Sequence, residues 1–250
     1  MPYENLDIQL GRPIRLDEDA LFAKLVEGGR GGYCYEQNSV LAHALEGLGF
    51  DVRRVLGGVA REIEGDKNWW NHMPLVVRLP GGDEWLADAG MGTGFRDPLP
   101  IRNGSYRVGA FNFGVWHLGE DLWRCSIDPR IANLTFDFAL PERQIGEFEE
   151  RCRELSTSPE SPFVKTLTVQ NAGETEMTVL RARTLTVYDP KLPEGKSVRI
   201  VPNAENFAAL LRDGFNLTLD DTDLQTLWAK AEEQHERKLA EEAAASRASV

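Results

Sequence analysis

The chain has 250 residues, 42% of them hydrophobic and 9% aromatic, which supplies a sizeable core for one large domain or two to three small ones. Its formal net charge of −12 argues against a nucleic-acid-binding face, which would be basic, and against attraction to an anionic membrane. Part of the acidity is local, in the Asp- and Glu-rich stretch 220–242, so an anionic ligand held by a local Arg or a helix N-terminus is not excluded.

Residues 1–50 read as helical. Leu16-Asp17-Glu18-Asp19 places acids in a first turn ahead of an apolar stripe of Leu21, Leu25 and Val26. Arg30-Gly31-Gly32-Tyr33-Cys34-Tyr35-Glu36-Gln37-Asn38 reads as a tight glycine turn running into a second helix. Val40, Leu41, Ala44, Leu45 and Leu48 give that helix an apolar face, and Gly47 and Gly49 mark its end. Cys34 falls at the helix start, where unpaired N–H groups and the macrodipole favour a thiolate. The two glycines leave room for a substrate to approach the backbone. On these features alone Cys34 is either a reactive thiol or a small buried hydrophobe.

From residue 51 the pattern changes to strands. Residues 51–59 read as a strand with a glycine break. Residues 75–79 and 84–88, joined by Pro80-Gly81-Gly82-Asp83, read as a β-hairpin. Residues 115–118 and 122–125 repeat the pattern about Gly119-Glu120-Asp121, and several short strands with regular turns suggest a small barrel or curled sheet. Pro141 opens a helix that runs to about Leu155, and residues 156–162 read as a linker. Residues 165–170, 175–181 and 184–189 read as strands, and 206–212 and 221–238 as helices. The tail from Ala229 is polar all round and is expected to fray.

The three cysteines, Cys34, Cys125 and Cys152, are too few and too irregular for a disulfide framework or a zinc site. That favours a reducing cytoplasm. No apolar run reaches the length of a membrane span, and the first residues form no signal sequence. The expectation is a soluble cytoplasmic protein without a metal.

A thiol nucleophile needs a neighbouring imidazole, and the imidazole needs an orienting group. The chain has four histidines, so each can be weighed. His43 lies on the Cys34 helix, turned through about 900° and raised by about 13 Å, out of reach of the thiol. His235 sits in the charged C-terminal helix, where solvent is expected, and His117 has no special neighbour in the second hairpin. His72 remains. It precedes the first hairpin, while Asp88-Ala89-Gly90-Met91-Gly92 closes the same hairpin's far end. The turn places Asp88 opposite Leu75 and His72 opposite Met91, so both lie at one open end, and a one-residue bulge puts them on one face. Taken singly, a His at a strand start is more often structural and an Asp before Gly more often a turn residue; together with Cys34 the combination counts for more than any one part.

The stretch 30–38 closely resembles the active-site signature of the arylamine N-acetyltransferases. Pro2-Tyr3-Glu4-Asn5-Leu6, Asn71-His72-Met73, Asp88-Ala89-Gly90-Met91-Gly92 and Ser158-Pro159-Glu160-Ser161-Pro162-Phe163 are similar to further blocks of that family, in the same order, over about residues 2–220. The resemblance implies an α+β fold with a cysteine-protease-like Cys-His-Asp core. Its parts are a helical bundle bearing Cys34 (1–50), a small β-barrel bearing His72 and Asp88 (51–157), an α/β lid (158–230) and a charged tail (231–250). It implies transfer of an acetyl group from acetyl-coenzyme A through Cys34 to a small aromatic amine or hydrazine. A macrolactam-forming amide synthase with the same triad, or a catalytically silent homologue, are the other readings it leaves.

The resemblance places Gly92, Thr93, Gly94 and Phe163 near the acyl donor and Tyr3, Val59 and Met91 on the acceptor side. It makes Arg30 and Glu4 an ion pair that anchors the Cys34 loop. Tyr3, Asn71 and Met91 depart from the commoner residues, which bears on acceptor choice. Family members carry two further helices before the block that begins at Pro2. The bundle is therefore expected to be shortened, with the apolar face of the Cys34 helix uncovered.

Overall fold

The computed structural model describes residues 1–248. The chain begins with strand β1 (Tyr3–Glu4), helix α1 (Leu6–Gln9) and helix α2 (Glu18–Leu21), which widens into a π-type turn over Phe22–Glu27. Helix α3 (Cys34–Gly47) follows the glycine turn. The next segment alternates strands and turns: β2 (Asp51–Val59), α4 (Arg61–Glu64), β3 (Leu75–Arg78), β4 (Glu84–Ala87), β5 (Leu99–Pro100), β6 (Gly104–Val108), β7 (Phe111–Gly119), β8 (Leu122–Ser126) and β9 (Thr135–Glu142). Helices α5 (Glu149–Thr157) and α6 (Pro162–Lys165) lead into β10 (Thr168–Ala172), β11 (Met177–Arg181), β12 (Thr184–Tyr188) and β13 (Lys196–Ile200). The chain closes with α7 (Ala204–Ala209) and the long α8 (Asp221–Ala248).

Two antiparallel sheets organise the molecule. Eight strands in the order β5-β4-β3-β2-β9-β8-β7-β6 curl into a nearly closed barrel around Val55, Phe113, Phe136 and Phe138. Five strands in the order β1-β10-β11-β12-β13 form the second sheet. Strand alternation sorts its faces. Val169, Leu180 and Leu185 point to a core shared with Phe207 of α7 and Leu227 of α8. Tyr3 pairs with Gln170, Gln170 with Val179 and Thr168 with Arg181, so these residues share the opposite face. Between the sheets, Tyr33, Tyr35, Met73, Phe148 and Cys152 pack as an aromatic cluster directly behind Cys34.

Several elements depart from the expectation. The first residues are not helical throughout, because Tyr3 and Glu4 complete the edge of the second sheet. Pro141 and Glu142 end strand β9, where Glu142 opposes Val55, and the helix starts only after Gln144. The register of the first hairpin is shifted by one: Leu75 opposes Ala87, not Asp88. Residues 156–162 are a pinned corner, in which Ser161 donates to the Leu155 carbonyl at 2.5 Å and caps α6 through the Phe163 N–H. A fifth strand, β13, was not expected and follows Gly195, whose φ is +69°. The tail does not fray at Ala229: α8 continues to Ala248, and Ala231, Gln234 and His235 are buried. Gln234 anchors that turn through the Leu167 N–H and Gln9. No helix of the described residues is long and apolar enough to cross a membrane.

Candidate functional site

Cys34 is the first residue of α3, and the glycine turn before it is shaped by its own protein neighbours. A Cβ on Gly31 would stand 2.1 Å from the Pro2 carbonyl oxygen, and one on Gly32 would stand 2.8 Å from Glu36. The glycines therefore admit β1 and the Glu36 side chain, and the expected role of admitting substrate is not needed to explain them. The Glu4 N–H donates to the Gly32 carbonyl at 2.9 Å, and Gln37 Nε2 donates to the Pro2 and Gly32 carbonyls at 2.7 and 2.8 Å.

A buried charge cluster locks this corner. Arg30 Nη2 contacts Glu4 Oε1 at 2.8 Å, in agreement with the expected pair. Lys24 Nζ bridges Asp7 and Glu36, each at 2.7 Å. Glu36 Oε2 accepts the Tyr33 N–H at 3.2 Å, so the acid three residues into the helix closes its first turn. Burial pushes the Glu36 carboxyl up to about 7 against the pull of Lys24.

His72 sits elsewhere than in the hairpin ladder. Pairing of β3 with β4 ends at Leu75 and Ala87, and His72 instead bridges Gly57 of β2, whose N–H donates to the His72 carbonyl at 3.0 Å. A Cβ on Gly57 would meet Pro74 at 2.6 Å, so the glycine break in β2 is what lets this segment cross. His72 Nε2 lies 2.6 Å from Asp88 Oδ2, both groups buried, and the ring packs edge-on against Phe136. The carboxylate contact assigns the proton to Nε2 and leaves the Nδ1 lone pair free. His72 and Cys34 line one cleft of about 390 Å³.

Asn38, four residues along the helix from Cys34, joins the two halves. Its Nδ2 donates to Asp88 Oδ1 and to the Met73 carbonyl, both at 2.8 Å. Its Oδ1 accepts the Ala89 and Gly90 N–H groups at 2.8 and 3.1 Å. Gly90 is forced: a Cβ there would lie 2.6 Å from Cys34 Cα. The motif contained Asn38, yet no pattern in the sequence assigned it this role. The signal was its i, i+4 position relative to Cys34.

Burial pushes the Cys34 thiol well up, and the Asp88 charge adds to it, while the Tyr35 N–H pulls the other way. The helix start alone thus does not deliver the low thiol that the sequence suggested; ionisation here needs a proton acceptor beside the sulfur. Cys34 Sγ lies 3.8 Å from the Asn71 carbonyl. The other histidines stand apart from it. His43 faces Glu46, His117 bonds the Glu120 carbonyl at 2.7 Å, and His235 is buried in α8 with Nδ1 unpartnered, not solvated as expected. Cys125 lies in the barrel core and Cys152 sits 2.8 Å from the Tyr33 hydroxyl.

The same cleft gathers Tyr3, Val59, Met91, Gly92, Thr93 and Phe163. Gly94 is not in its wall; it tucks behind Met91, lining a neighbouring cavity with Arg96 and Asp97. A Cβ on Gly92 would meet Gln170 Oε1 at 2.3 Å, so packing between the sheets already requires that glycine. Arg151 and Arg181 also line the cleft and were missed, since neither belongs to a recognisable motif. Behind α3, Leu41 and Leu45 are only half-buried and line a second groove of about 580 Å³, while Leu48 and Phe50 are exposed.

Comparisons with known proteins bear on the family and the fold. The N-acetyltransferase family model matches residues 1–224. The arylamine N-acetyltransferase of Mycolicibacterium smegmatis is 36% identical over 195 residues, covering 75% of this chain and 70% of that protein. That of Escherichia coli is 44% identical over 121 residues, covering 48% of this chain and 42% of that protein. The M. smegmatis enzyme structure superposes with a TM-score of 0.82 at 30% identity, covering 93% of this chain and 86% of that one. The Mycobacterium marinum arylamine N-acetyltransferase in complex with CoA gives a TM-score of 0.82 at 25% identity, covering 93% and 88%. The chain belongs to the arylamine N-acetyltransferase family and is an acyltransferase.

Proposed function

We propose that this chain N-acetylates arylamines or arylhydrazines from acetyl-coenzyme A by a ping-pong route through acetyl-Cys34. The observation that carries the reading is the His72–Asp88 contact at 2.6 Å, which leaves His72 Nδ1 free in the cleft that Cys34 lines. The pair supplies the proton acceptor that the buried thiol requires.

In the first half-reaction His72 Nδ1 takes the Cys34 proton and the sulfur attacks the thioester carbonyl. The bond from carbonyl carbon to the leaving sulfur breaks, that sulfur takes the proton from His72, and the acetyl group stays on Cys34. In the second, the amine attacks the same carbonyl, His72 takes the amine proton, and Cys34 leaves and is reprotonated. Asp88 holds the ring and stabilises the imidazolium in each. Among the described residues no carboxylate lines the cleft, so a phosphate-bearing thioester meets no like charge in it. Gly92, Thr93 and Phe163 serve the donor in this reading, and Tyr3, Val59 and Met91 the acceptor.

Initial rates with both substrates varied test the proposal. Parallel double-reciprocal lines are expected, because the first product leaves before the amine enters. Intersecting lines would require both substrates bound together and contradict it.

A further inference from the structure

Strand β2 turns alternate N–H groups toward the segment that carries His72. The Val55 N–H donates to the Pro74 carbonyl and the Gly57 N–H to the His72 carbonyl, each at 3.0 Å. Continued in register, the next rung would join the Val59 N–H to the Trp70 carbonyl. The chain does not make it. Trp70 has a φ of +69°, a left-handed conformation that strains a bulky aromatic residue, and its carbonyl accepts the Tyr35 hydroxyl of α3 instead. The Trp70 ring is held in that position against Phe148, with the Arg143 guanidinium 5.5 Å from the ring centre.

Asn71 supplies the rung with its side chain. Its Oδ1 accepts the Val59 N–H at 2.7 Å, and its Nδ2 donates to the Val59 carbonyl at 3.2 Å. One side-chain amide thus presents to Val59 the acceptor and the donor that a paired strand would. The backbone of Asn71 is spent elsewhere. Its N–H turns back to the Asn68 carbonyl at 3.4 Å, and its carbonyl faces the Cys34 sulfur at 3.8 Å. The sequence suggested that Asn71 bears on acceptor choice, yet both ends of its amide are committed to β2.

We propose that Asn71 is a positioning residue for the Cys34–His72 pair: its side chain replaces the missing rung to Val59, and so fixes the segment whose carbonyl touches the thiol and whose next residue is His72. This rests on the reading above in which His72 Nδ1 takes the Cys34 proton. The left-handed turn at Trp70 releases a residue to face the sulfur, and the amide restores the stiffness which that turn removes. Without the amide, His72 keeps Asp88 and its bridge to Gly57. The chain just before it is then tied to the end of β2 by the Asn68 Nδ2 bond to the Val59 carbonyl, at 2.8 Å.

The test reads the thiolate directly, as the pH dependence of iodoacetamide alkylation followed on the Cys34 peptide. In wild type the His72 imidazolium is expected to carry alkylation to lower pH than in His72→Gln. In Asn71→Ala the midpoint is expected to rise by about one pH unit, because a displaced imidazolium removes a full charge and a displaced carbonyl only a partial one. The rate at which Cys34 takes up acetyl at saturating acetyl-coenzyme A is expected to fall roughly 10- to 100-fold. Asp88, Cys152 and Glu36, whose charges also reach the thiol, are common to these variants. Asn68→Ala is the control. It removes a bond to the same Val59 carbonyl from four residues before His72, so its Tm is expected to fall while the alkylation profile stays in place. Asn71→Thr, whose one hydroxyl cannot serve both groups of Val59, is expected to give a smaller shift of the same sign. A wild-type profile in Asn71→Ala, or in Asn71→Thr where the alanine variant does not fold, overturns the proposal, as does an equal shift in Asn68→Ala. If His72→Gln also leaves the profile unchanged, the reading of His72 as proton acceptor fails with it.

Discussion

Replacing Glu36 by Gln probes the charge cluster that sets the Cys34 turn. Glu36 is 2% exposed, and its charge faces Lys24 on the π-type turn, Glu4 on β1 and the Tyr33 N–H. Lys24 is shared with Asp7, and Arg30 is committed to Glu4 and Asp7. With Arg12, which reaches Asp7 and Asp223, four carboxylates thus lean on three cations. Burial raises the Glu36 carboxyl from 4.5 to about 7. A raised acid in the folded state contributes stability that is full below the unfolded value and is lost as pH climbs through the folded one. The window is therefore from about 4.5 to about 7, and a shift of that size corresponds to about 3 kcal/mol. Gln keeps an oxygen for the Tyr33 N–H and does not titrate. The Tm of Glu36→Gln minus that of wild type is expected to rise by about 5 °C between pH 5 and pH 8, given a melting entropy that scales with this chain length. Differential scanning fluorimetry in matched ionic strength measures it, and taking the difference cancels the groups common to both proteins. A difference that stays flat with pH, or that falls as pH rises, refutes the reasoning, because the Lys24 pair would then outweigh desolvation.

Asp88→Asn keeps an oxygen for the Gly90 N–H but presents a neutral group to His72. It is expected to lower kcat by about 10² to 10⁴, measured in steady-state assays, with the circular dichroism spectrum retained. Gly90→Ala drives a methyl group to 2.6 Å from Cys34 Cα and is expected to cost about 1–3 kcal/mol in urea unfolding while displacing the thiol, so activity falls further than stability predicts. Asn38→Leu strips the contacts to Asp88, Met73, Ala89 and Gly90 inside a buried site and is expected to cost about 3 kcal/mol or more by the same unfolding measurement.

The candidate catalytic residues were legible because their motif is compact and their number small. With only four histidines, elimination reached His72, and a glycine turn ahead of a helix singled out Cys34. The hairpin turn put Asp88 at the correct end, but its register was off by one and the route was wrong. His72 is delivered by a crossing over Gly57, a tertiary contact that no local pattern encodes. The same holds for Asn38, whose partners are 35 to 52 residues away. Pro141 misled because proline is tolerated both at a helix start and near the end of a strand, and here the ladder to β2 decides. The tail misled because a charged helix was read as solvated throughout, while Ala231 and His235 pack inward. Arg181 could not be seen in advance, since what brings it to the cleft is the sheet face it shares with Tyr3.

Intact-mass spectrometry after brief incubation with acetyl-coenzyme A and no amine tests the central claim most directly. The account predicts a gain of one acetyl group, mapped to the peptide bearing Cys34 and discharged on adding an arylamine. A wild-type protein that gains no mass, or a gain that persists in Cys34→Ala, would contradict it.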